Sequence, residues 1–334
     1  MNSVNIKKLA LELNLSTATV SRALRDSYQI SRETKDKVMA LAKQLNYQPN
    51  HFASNLRNQK SKTIAVIIPE IASNFFSQVI NGIEEIAIKK GYHVLIYLTH
   101  NNSEIELNFG KQLLSGRVDG VLISVSNETA NREHFNDLTK KIPIVFFDRV
   151  YQGIDAVTVV TDNYESVYHA VQHLITNGCK KIAYLLALNN LATGKKRLEG
   201  YMEALKDNHI AYDESLVINM GTDDQENISL VRDLLSAEKP DGIVSPVEDA
   251  AIACYYACKE LNLTIPHDLK IVSFSNLKTA PLLNPSLTTI TQPAIEMGRE
   301  AASILFKILE KKEVDPKEVI VIKSTLIERE STSN

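Results

Sequence analysis

The chain has 334 residues, 44% of them apolar and 23% charged, with 37 Lys/Arg against 40 Asp/Glu. That length exceeds one ordinary hydrophobic core and predicts two or three domains, while no apolar run approaches the roughly 18–20 residues of a bilayer-spanning helix. The charge is uneven: residues 1–60 hold ten basic and four acidic side chains, a net of +6, and residues 61–334 hold 27 and 36, a net of −9, so a polyanionic partner is expected for the head alone.

The first residues, Met1 to Lys8, carry no apolar core and no cleavage site of the secretory kind. Three cysteines, Cys179, Cys254 and Cys258, are too few for a disulfide framework, and reduced thiols in a cytoplasm are expected. Cys254 and Cys258 stand one helical turn apart, but no further His or Cys supplies a metal set, so core packing is expected and no metal or cofactor.

The head reads as three helices. Asn5 is placed to cap a helix over about 6–13, with Ile6, Leu9, Ala10 and Leu13 as its apolar stripe. Asn14 suits the left-handed position that ends it. Ser16 then opens a second helix over about 17–25, with Val20, Ala23 and Leu24 inward. Ser31 starts a third, with Glu33 favourably placed in its first turn and Val38, Leu41, Ala42 and Leu45 on one face. About three residues separate the first two helices, the spacing of a DNA-reading helix-turn-helix. The second helix would enter the major groove by its N-terminal end, exposing Thr17, Ala18, Ser21, Arg22 and Arg25. Arg22 is a natural bidentate donor to a guanine edge, and Thr17 and Ala18 are small enough to touch a base or a thymine methyl. Lys7, Ser16, Thr19 and Ser21 suit phosphates, which position without specifying. A small helical bundle with an ordinary polar surface is the alternative at this point.

Residues 50–57, Asn-His-Phe-Ala-Ser-Asn-Leu-Arg, follow Pro49. So short a segment cannot hold a helix alone, because nucleation is unfavourable. It can be a linker when free and a helix when packed against a second copy on bent DNA, with Leu56 as an apolar wedge in the minor groove.

From Lys62 strands and helices alternate. Strands are predicted at 63–68, 93–98, 118–123 and 142–147. Helices fall at 76–90, stopped by Gly91, and at 104–115, capped by Ser103. The alternation recurs with strands at 181–187, 242–245 and 271–274 and helices at 194–207, 225–236 and 250–261. Successive βαβ units imply parallel sheets covered on both faces. Val118-Asp119-Gly120-Val121 is echoed by Pro240-Asp241-Gly242-Ile243, each Asp-Gly read as a tight turn entering a strand. Two similar α/β subdomains facing each other are expected, with one large open sheet as the alternative.

The segment Asn14-Leu15-Ser16-Thr17-Ala18-Thr19-Val20-Ser21-Arg22-Ala23-Leu24 resembles the recognition segment of the lactose-repressor/galactose-repressor family of bacterial transcription regulators. Leu45-Asn46-Tyr47-Gln48-Pro49-Asn50, followed by Ala53 and Leu56, is similar to that family's third-helix end and hinge. Thr63 to Pro69, Asn74-Phe75-Phe76, Pro143 to Arg149, Arg197-Leu198-Glu199-Gly200-Tyr201 and Pro285 to Pro293 follow at family-like spacing, so the resemblance covers essentially the whole chain. It implies an α/β fold: a helix-turn-helix head at 1–48, a hinge at 49–61, and a two-lobed periplasmic-binding-protein-like body of parallel sheets at 62–334. The first lobe would span about 62–160 and 292–320, the second about 161–291 and 321–334. The implied DNA contacts are Lys7, Ser16, Thr17, Ala18, Thr19, Ser21, Arg22, Asn50, Ala53 and Leu56. The implied effector contacts are Phe75, Phe76, Asp148, Arg149, Thr193, Arg197, Glu248, Ser275 and Gln292.

Taken singly, each effector residue has an ordinary structural reading: the phenylalanines as core, Asp148–Arg149 as a strand-end pair. Together they stand at strand C-terminal ends, where α/β clefts bind ligands, and offer aromatic faces and charge-assisted hydrogen bonds. The family often has Asp where Ser275 stands. A sugar or sugar derivative is the first expectation, with a nucleobase-like or phosphorylated ligand behind it. No P-loop, G-x-G-x-x-G, H-E-x-x-H or G-x-S-x-G sequence is present, so an enzyme is not expected. The resemblance therefore implies a cytoplasmic regulator, a repressor controlled by a small-molecule effector acting as inducer or co-repressor, that binds pseudo-palindromic double-stranded operator DNA as a homodimer or tetramer, with no membrane partner and no cofactor. The rivals are an exported solute-binding protein, which would need a signal and no DNA head, and a doubly wound α/β enzyme, which would need a catalytic constellation.

Overall fold

The computed structural model describes residues 5–24, 26–47, 61–114, 117–126, 133–151 and 153–333. It divides into two compact units, Met1–Ser61 and Lys62–Asn334.

The first unit holds α1 (Ile6–Glu12), α2 (Thr17–Leu24) and α3 (Arg32–Gln44). Each start is fixed by a side-chain oxygen taking an otherwise unpaired backbone N–H: Asn5 Oδ1 accepts from Lys8 at 3.1 Å, Ser16 Oγ from Thr19 at 3.0 Å, and Ser31 Oγ from Thr34 at 3.3 Å. Such caps contribute about 0.5–2 kcal/mol each. Asn14 and Asn46 end α1 and α3 at φ of 52° and 50°, the left-handed region that Asn tolerates. Leu9, Ala10, Val20, Ala23, Val38 and Ala42 close the core between the helices. Arg25 and residues 49–60 of the expected hinge, with Asn50, Ala53 and Leu56, lie outside the described residues.

In chain order, the second unit begins with β1 (Thr63–Ile68), α4 (Asn74–Lys89), β2 (His93–Leu98), α5 (Ser103–Leu113), β3 (Gly120–Ile123), α6 (Glu133–Thr139), β4 (Ile144–Phe147) and β5 (Thr158–Thr161). It continues with α7 (Asn163–Thr176), β6 (Ile182–Leu186), α8 (Ala192–Asp207), β7 (Val217–Asn219), α9 (Asp224–Ala237), β8 (Gly242–Ser245), α10 (Glu248–Leu261), β9 (Lys270–Phe274) and β10 (Thr288–Thr291). It closes with α11 (Ala294–Leu309), β11 (Val319–Ile322) and β12 (Thr325–Ile327). Two six-stranded sheets result, ordered β11-β5-β4-β3-β1-β2 and β12-β10-β9-β8-β6-β7, which discards the single open sheet. Only the β10–β12 pairing is antiparallel among the described ladders. Runs such as Ile144-Val145-Phe146-Phe147 are buried at every residue, as a parallel strand covered on both faces requires.

On one face of the first sheet α4 and α11 pack with their backbones in near contact. A Cβ on Gly82 would stand 2.1 Å from the Ile295 carbonyl oxygen, and one on Gly298 2.1 Å from that of Val79. These reciprocal glycines let the helix pair approach closely over the core of Ile64, Val66, Val79, Ile83, Met297 and Leu305.

Three local expectations are corrected. Asn102, not Ser103, caps α5, its Oδ1 accepting from the backbone N–H groups of Glu104 and Ile105, and Ser103 takes the first helical position. The Asp-Gly pairs do not form turns, because Gly120 and Gly242 are already strand residues. Their aspartates tie down the start of the neighbouring strand instead: Asp119 Oδ2 accepts from Lys62 N at 3.1 Å, and Asp241 from Lys180 N at 2.8 Å and Lys181 N at 2.9 Å. The lobe boundaries also move slightly. Thr161 pairs with Ile322 in the first sheet, so residues 161, 321 and 322 belong there, and the chain crosses at Asp162 and at Lys323–Ser324. Ser324 N donates to Asp162 Oδ1 at 2.7 Å, binding two of the crossing strands together. The third crossing follows β10, where Gln292 N and the Asn276 side chain meet.

The three thiols are buried, and burial pushes Cys179 and Cys258 up to about 12 and Cys254 higher still. Cys254 and Cys258 pack in the core of the second lobe. No helix among the described residues is long and apolar enough to cross a membrane.

Candidate functional site

On the head, α2 sorts its residues by face. Val20 and Ala23 are buried; Thr17 and Arg22 are exposed, and Ala18, Thr19 and Ser21 half-buried between them. Ser16 and Thr19 are partly engaged with each other, Oγ to Oγ1 at 2.9 Å, so their first role is to start the helix. Lys7 is exposed on α1. Tyr28, in the turn before α3, is 92% exposed and was not singled out by the sequence, since an isolated turn tyrosine has no periodic signature.

In the body, eight of the nine expected effector residues line one cavity of about 150 Å³: Phe75, Phe76, Asp148, Arg149, Arg197, Glu248, Ser275 and Gln292. Both sheets contribute from the C-terminal ends of their parallel strands, where backbone and loop geometry leave side chains free to face the cleft. Thr193 stands behind the wall, facing a separate groove. Its Oγ1 donates to the Asp148 carbonyl at 3.0 Å, joining the lobes rather than facing the cavity.

Asp148 follows β4 at φ 57°, a left-handed turn that re-aims the chain and that Asp adopts more readily than most residues. Burial raises its carboxyl above the ordinary carboxylate value, opposed by the nearby Arg149 and Arg197 guanidiniums. Gln292 Nε2 reaches Asp148 Oδ1 at 3.5 Å and Thr161 Oγ1 at 3.2 Å. Burial likewise lowers both arginines, opposed first by Asp148. Arg197 is held on three sides. Its Nε donates to Asn163 Oδ1 at 2.7 Å, its Nη1 to the Pro246 carbonyl, and its guanidinium lies 3.6 Å from the Phe274 ring centre. Arg149 donates from Nη1 to Asn101 Oδ1 at 2.7 Å, pairs with Glu70 at 3.7 Å and lies over Phe76 at 5.4 Å, while its buried Nε has no hydrogen-bond partner.

Across the cavity, Glu248 collects three donors: Ser275 Oγ at 3.1 Å, Asn276 N at 3.2 Å and, from the opposite lobe, Asn74 Nδ2 at 2.6 Å. Gln78 of α4 also donates across the lobes to the Asn276 carbonyl at 3.2 Å. Phe76 is part of the first-lobe core, stacked edge-on against Phe147 at 6.5 Å, so it forms floor and support at once. Residues that sequence reasoning missed are Glu70, Asn74, Asn101, Asn163, Phe274 and Asn276. They stand up to 198 positions from their partners, and no spacing rule links them.

The two units together are those of a helix-turn-helix regulator carrying a periplasmic-binding-protein-like body. The family model "Bacterial regulatory proteins, lacI family" matches residues 5–50, and the model "Periplasmic binding protein-like domain" matches residues 171–332. The HTH-type transcriptional repressor CytR of Escherichia coli is 31% identical over 306 residues, covering 91% of this chain and 89% of its own length. The lac repressor dimer bound to operator and the anti-inducer ONPF shares the fold, with a TM-score of 0.88, 22% identity and complete coverage of both chains. A regulator of Alkaliphilus metalliredigens complexed with D-xylulofuranose gives a TM-score of 0.72 at 29% identity, covering 82% of this chain and all of that one. The chain belongs to the lacI family of DNA-binding transcription regulators.

Proposed function

We propose that the protein is a repressor whose operator binding is controlled by a sugar or sugar derivative in the cleft between the two lobes. The observation that carries this reading is the buried Asp148–Arg149–Arg197 set, which converges with Glu248 and Gln292 on a single cavity to which both lobes contribute. Buried charge of this kind costs stability unless it is paired, and alternating donors and carboxylates match the vicinal hydroxyls of a sugar. The relative solved with D-xylulofuranose supports the same ligand class.

On DNA, Arg22, Thr17 and Ala18 would read base edges, while Lys7, Ser16, Thr19 and Ser21 contact phosphates. Asn50, Ala53 and Leu56 would act in a hinge at 49–61 that packs against its copy in a cytoplasmic homodimer on a two-fold operator. The ligand's control of DNA can be no larger than its differential affinity for the two body arrangements. Gel-shift selection on genomic fragments tests the reading: the full chain should retain one specific fragment, and truncation before Ser61 should abolish retention. Unchanged selection by the truncated chain would overturn it.

A further inference from the structure

The groove that Thr193 faces is separate from the cleft. We propose that it is a docking site for an extended segment of a partner protein, apolar at alternate residues and basic at one end, which adds to β11 as a seventh strand of the first sheet.

The groove arises from a bare sheet face. α4, α5 and α6 fill the β1–β2, β2–β3 and β3–β4 crossovers, but the crossover from β4 to β5 has no helix among its described residues. Val159, Ile320 and Ile322 turn to the core beneath α4 and α11. On the other face Thr158, Val160, Val319 and Val321 floor a groove of about 850 Å³, within the roughly 300–1,000 Å³ of well-formed binding sites. Val319 and Val321 are 61% and 55% exposed, although a parallel sheet normally has both faces covered.

β11 ends the sheet, and its ladder fixes which backbone groups are free. Thr158 N donates to the Glu318 carbonyl at 3.0 Å, and Thr158 is in register with Val319. A parallel ladder uses alternate residues. Ile320 therefore turns its N–H and C=O to β5, while Val319 and Val321 turn theirs outward. No described residue pairs with that outer edge. A strand laid there finds the N–H and C=O of both valines in line. Its alternate side chains lie against theirs and close the open side of the groove. β11 carries neither a proline nor a bulge, devices that commonly block such pairing.

Charge selects the segment. Asp155, Asp162, Glu165 and Glu199 line the groove against Lys196 and Lys317. Lys196 pairs with Glu199 at 2.6 Å and Lys317 with Asp155 at 3.8 Å. Asp162 and Glu165, at the start of α7, are the surplus, and Asp162 accepts from neutral donors, Ser166 Oγ and Ser324 N. A basic residue at that end of the segment is attracted and an acidic one repelled. A second copy of β11 would bring its own surplus carboxylates with it, which disfavours self-pairing. The row of outward backbone groups favours a peptide over a small molecule.

Fluorescence anisotropy of the full chain with fluorescein-labelled heptapeptides tests the proposal. The set has Leu, Ile or Phe at the first, third and fifth positions, Thr at the second, fourth and sixth, and Lys at the seventh. At least one should bind saturably, and Glu in place of its Lys should weaken it about tenfold. N-methylation of the odd-numbered or of the even-numbered residues should abolish binding in one case only, because every second N–H faces β11. Val321→Pro removes an outward N–H and leaves the β5 ladder whole. It should weaken binding about tenfold while melting close to wild type. The proposal is overturned by no binding from any peptide, by equal binding of the two N-methylated forms, by equal binding of the Lys and Glu forms, or by undiminished binding to folded Val321→Pro. If Val321→Pro does not fold, the N-methylated forms decide. Sedimentation of the chain alone supplies the last check: an assembly lost in Val321→Pro would assign the edge to a second copy and overturn the partner reading.

Discussion

Replacing Asn163 by Ala tests whether Arg197 is as tightly positioned as its surroundings indicate. Asn163 lies at the start of α7, outside the cavity lining, and acts through Arg197, accepting from its Nε at 2.7 Å, while its own Nδ2 donates to the Thr161 carbonyl at 3.1 Å. Both residues are buried, so water cannot readily replace the lost acceptor. A hydrogen bond to a charged group is worth about 1.5–3 kcal/mol. For a body of this size each kcal/mol moves the melting temperature by roughly 2–4 °C, giving a fall of about 3–12 °C. Arg197 remains stacked on Phe274 but is free to rotate, so affinity for a cleft ligand should fall about tenfold or more, the loss of one oriented charged contact. Circular-dichroism melts and calorimetry read the two effects separately. Asn163→Asp keeps the acceptor for Arg197 but sets a carboxylate oxygen against the Thr161 carbonyl, so it should restore binding to within a few-fold without restoring the melting temperature. If Asn163→Ala melts within a degree of wild type and binds equally well, Arg197 is not held as described.

Other consequences follow from the same contacts. Gly82→Ala or Gly298→Ala places a methyl 2.1 Å from a backbone carbonyl oxygen, so each should cost about 3 kcal/mol or more, at or above the usual range for overpacking, and either variant melting like wild type would contradict the helix contact. His173 is lowered from its ordinary 6.5 by burial, with Glu328 opposing, and its Nε2 bonds Thr332 Oγ1 at 2.8 Å. Since the fold favours the neutral ring, its contribution is complete above about pH 6.5 and is lost as pH falls through the lowered value; His173→Gln should flatten the pH dependence of melting in that window. On operator DNA, Arg22→Ala should cost about 1–3 kcal/mol and relax preference at one base pair, whereas Lys7→Ala should weaken all sequences alike and reduce the salt slope by about one, readable by fluorescence anisotropy.

Much of this architecture is visible in local chemistry. Asn5, Asn14, Ser16 and Ser31 mark helix boundaries because caps and left-handed turns are decided within four residues. The apolar runs of β1 and β4 are equally plain. Two long helices were nonetheless not anticipated. In α7, Val167, Ala170, Val171 and Leu174 carry a full helical repeat, and in α11 Ala294, Met297, Ala301 and Leu305 do the same, so the signal was present in both. The short strands β5, β7, β11 and β12 are set by pairing rather than by their own three or four residues, and no local rule finds them. At the cleft, the charged residues were legible through family-like spacing. Their orienting partners were not: Asn101, Asn163 and Asn74 owe their roles to loops that meet only after both sheets have formed.

Occupancy of the cleft should change affinity for DNA. The most direct measurement is operator binding by the full chain, followed by fluorescence anisotropy at fixed salt, without and with a saturating monosaccharide that calorimetry has shown to bind. A change in Kd of at least about fivefold, absent in Arg197→Ala, is the predicted result. A Kd unchanged within twofold, with the cleft demonstrably filled, would contradict it.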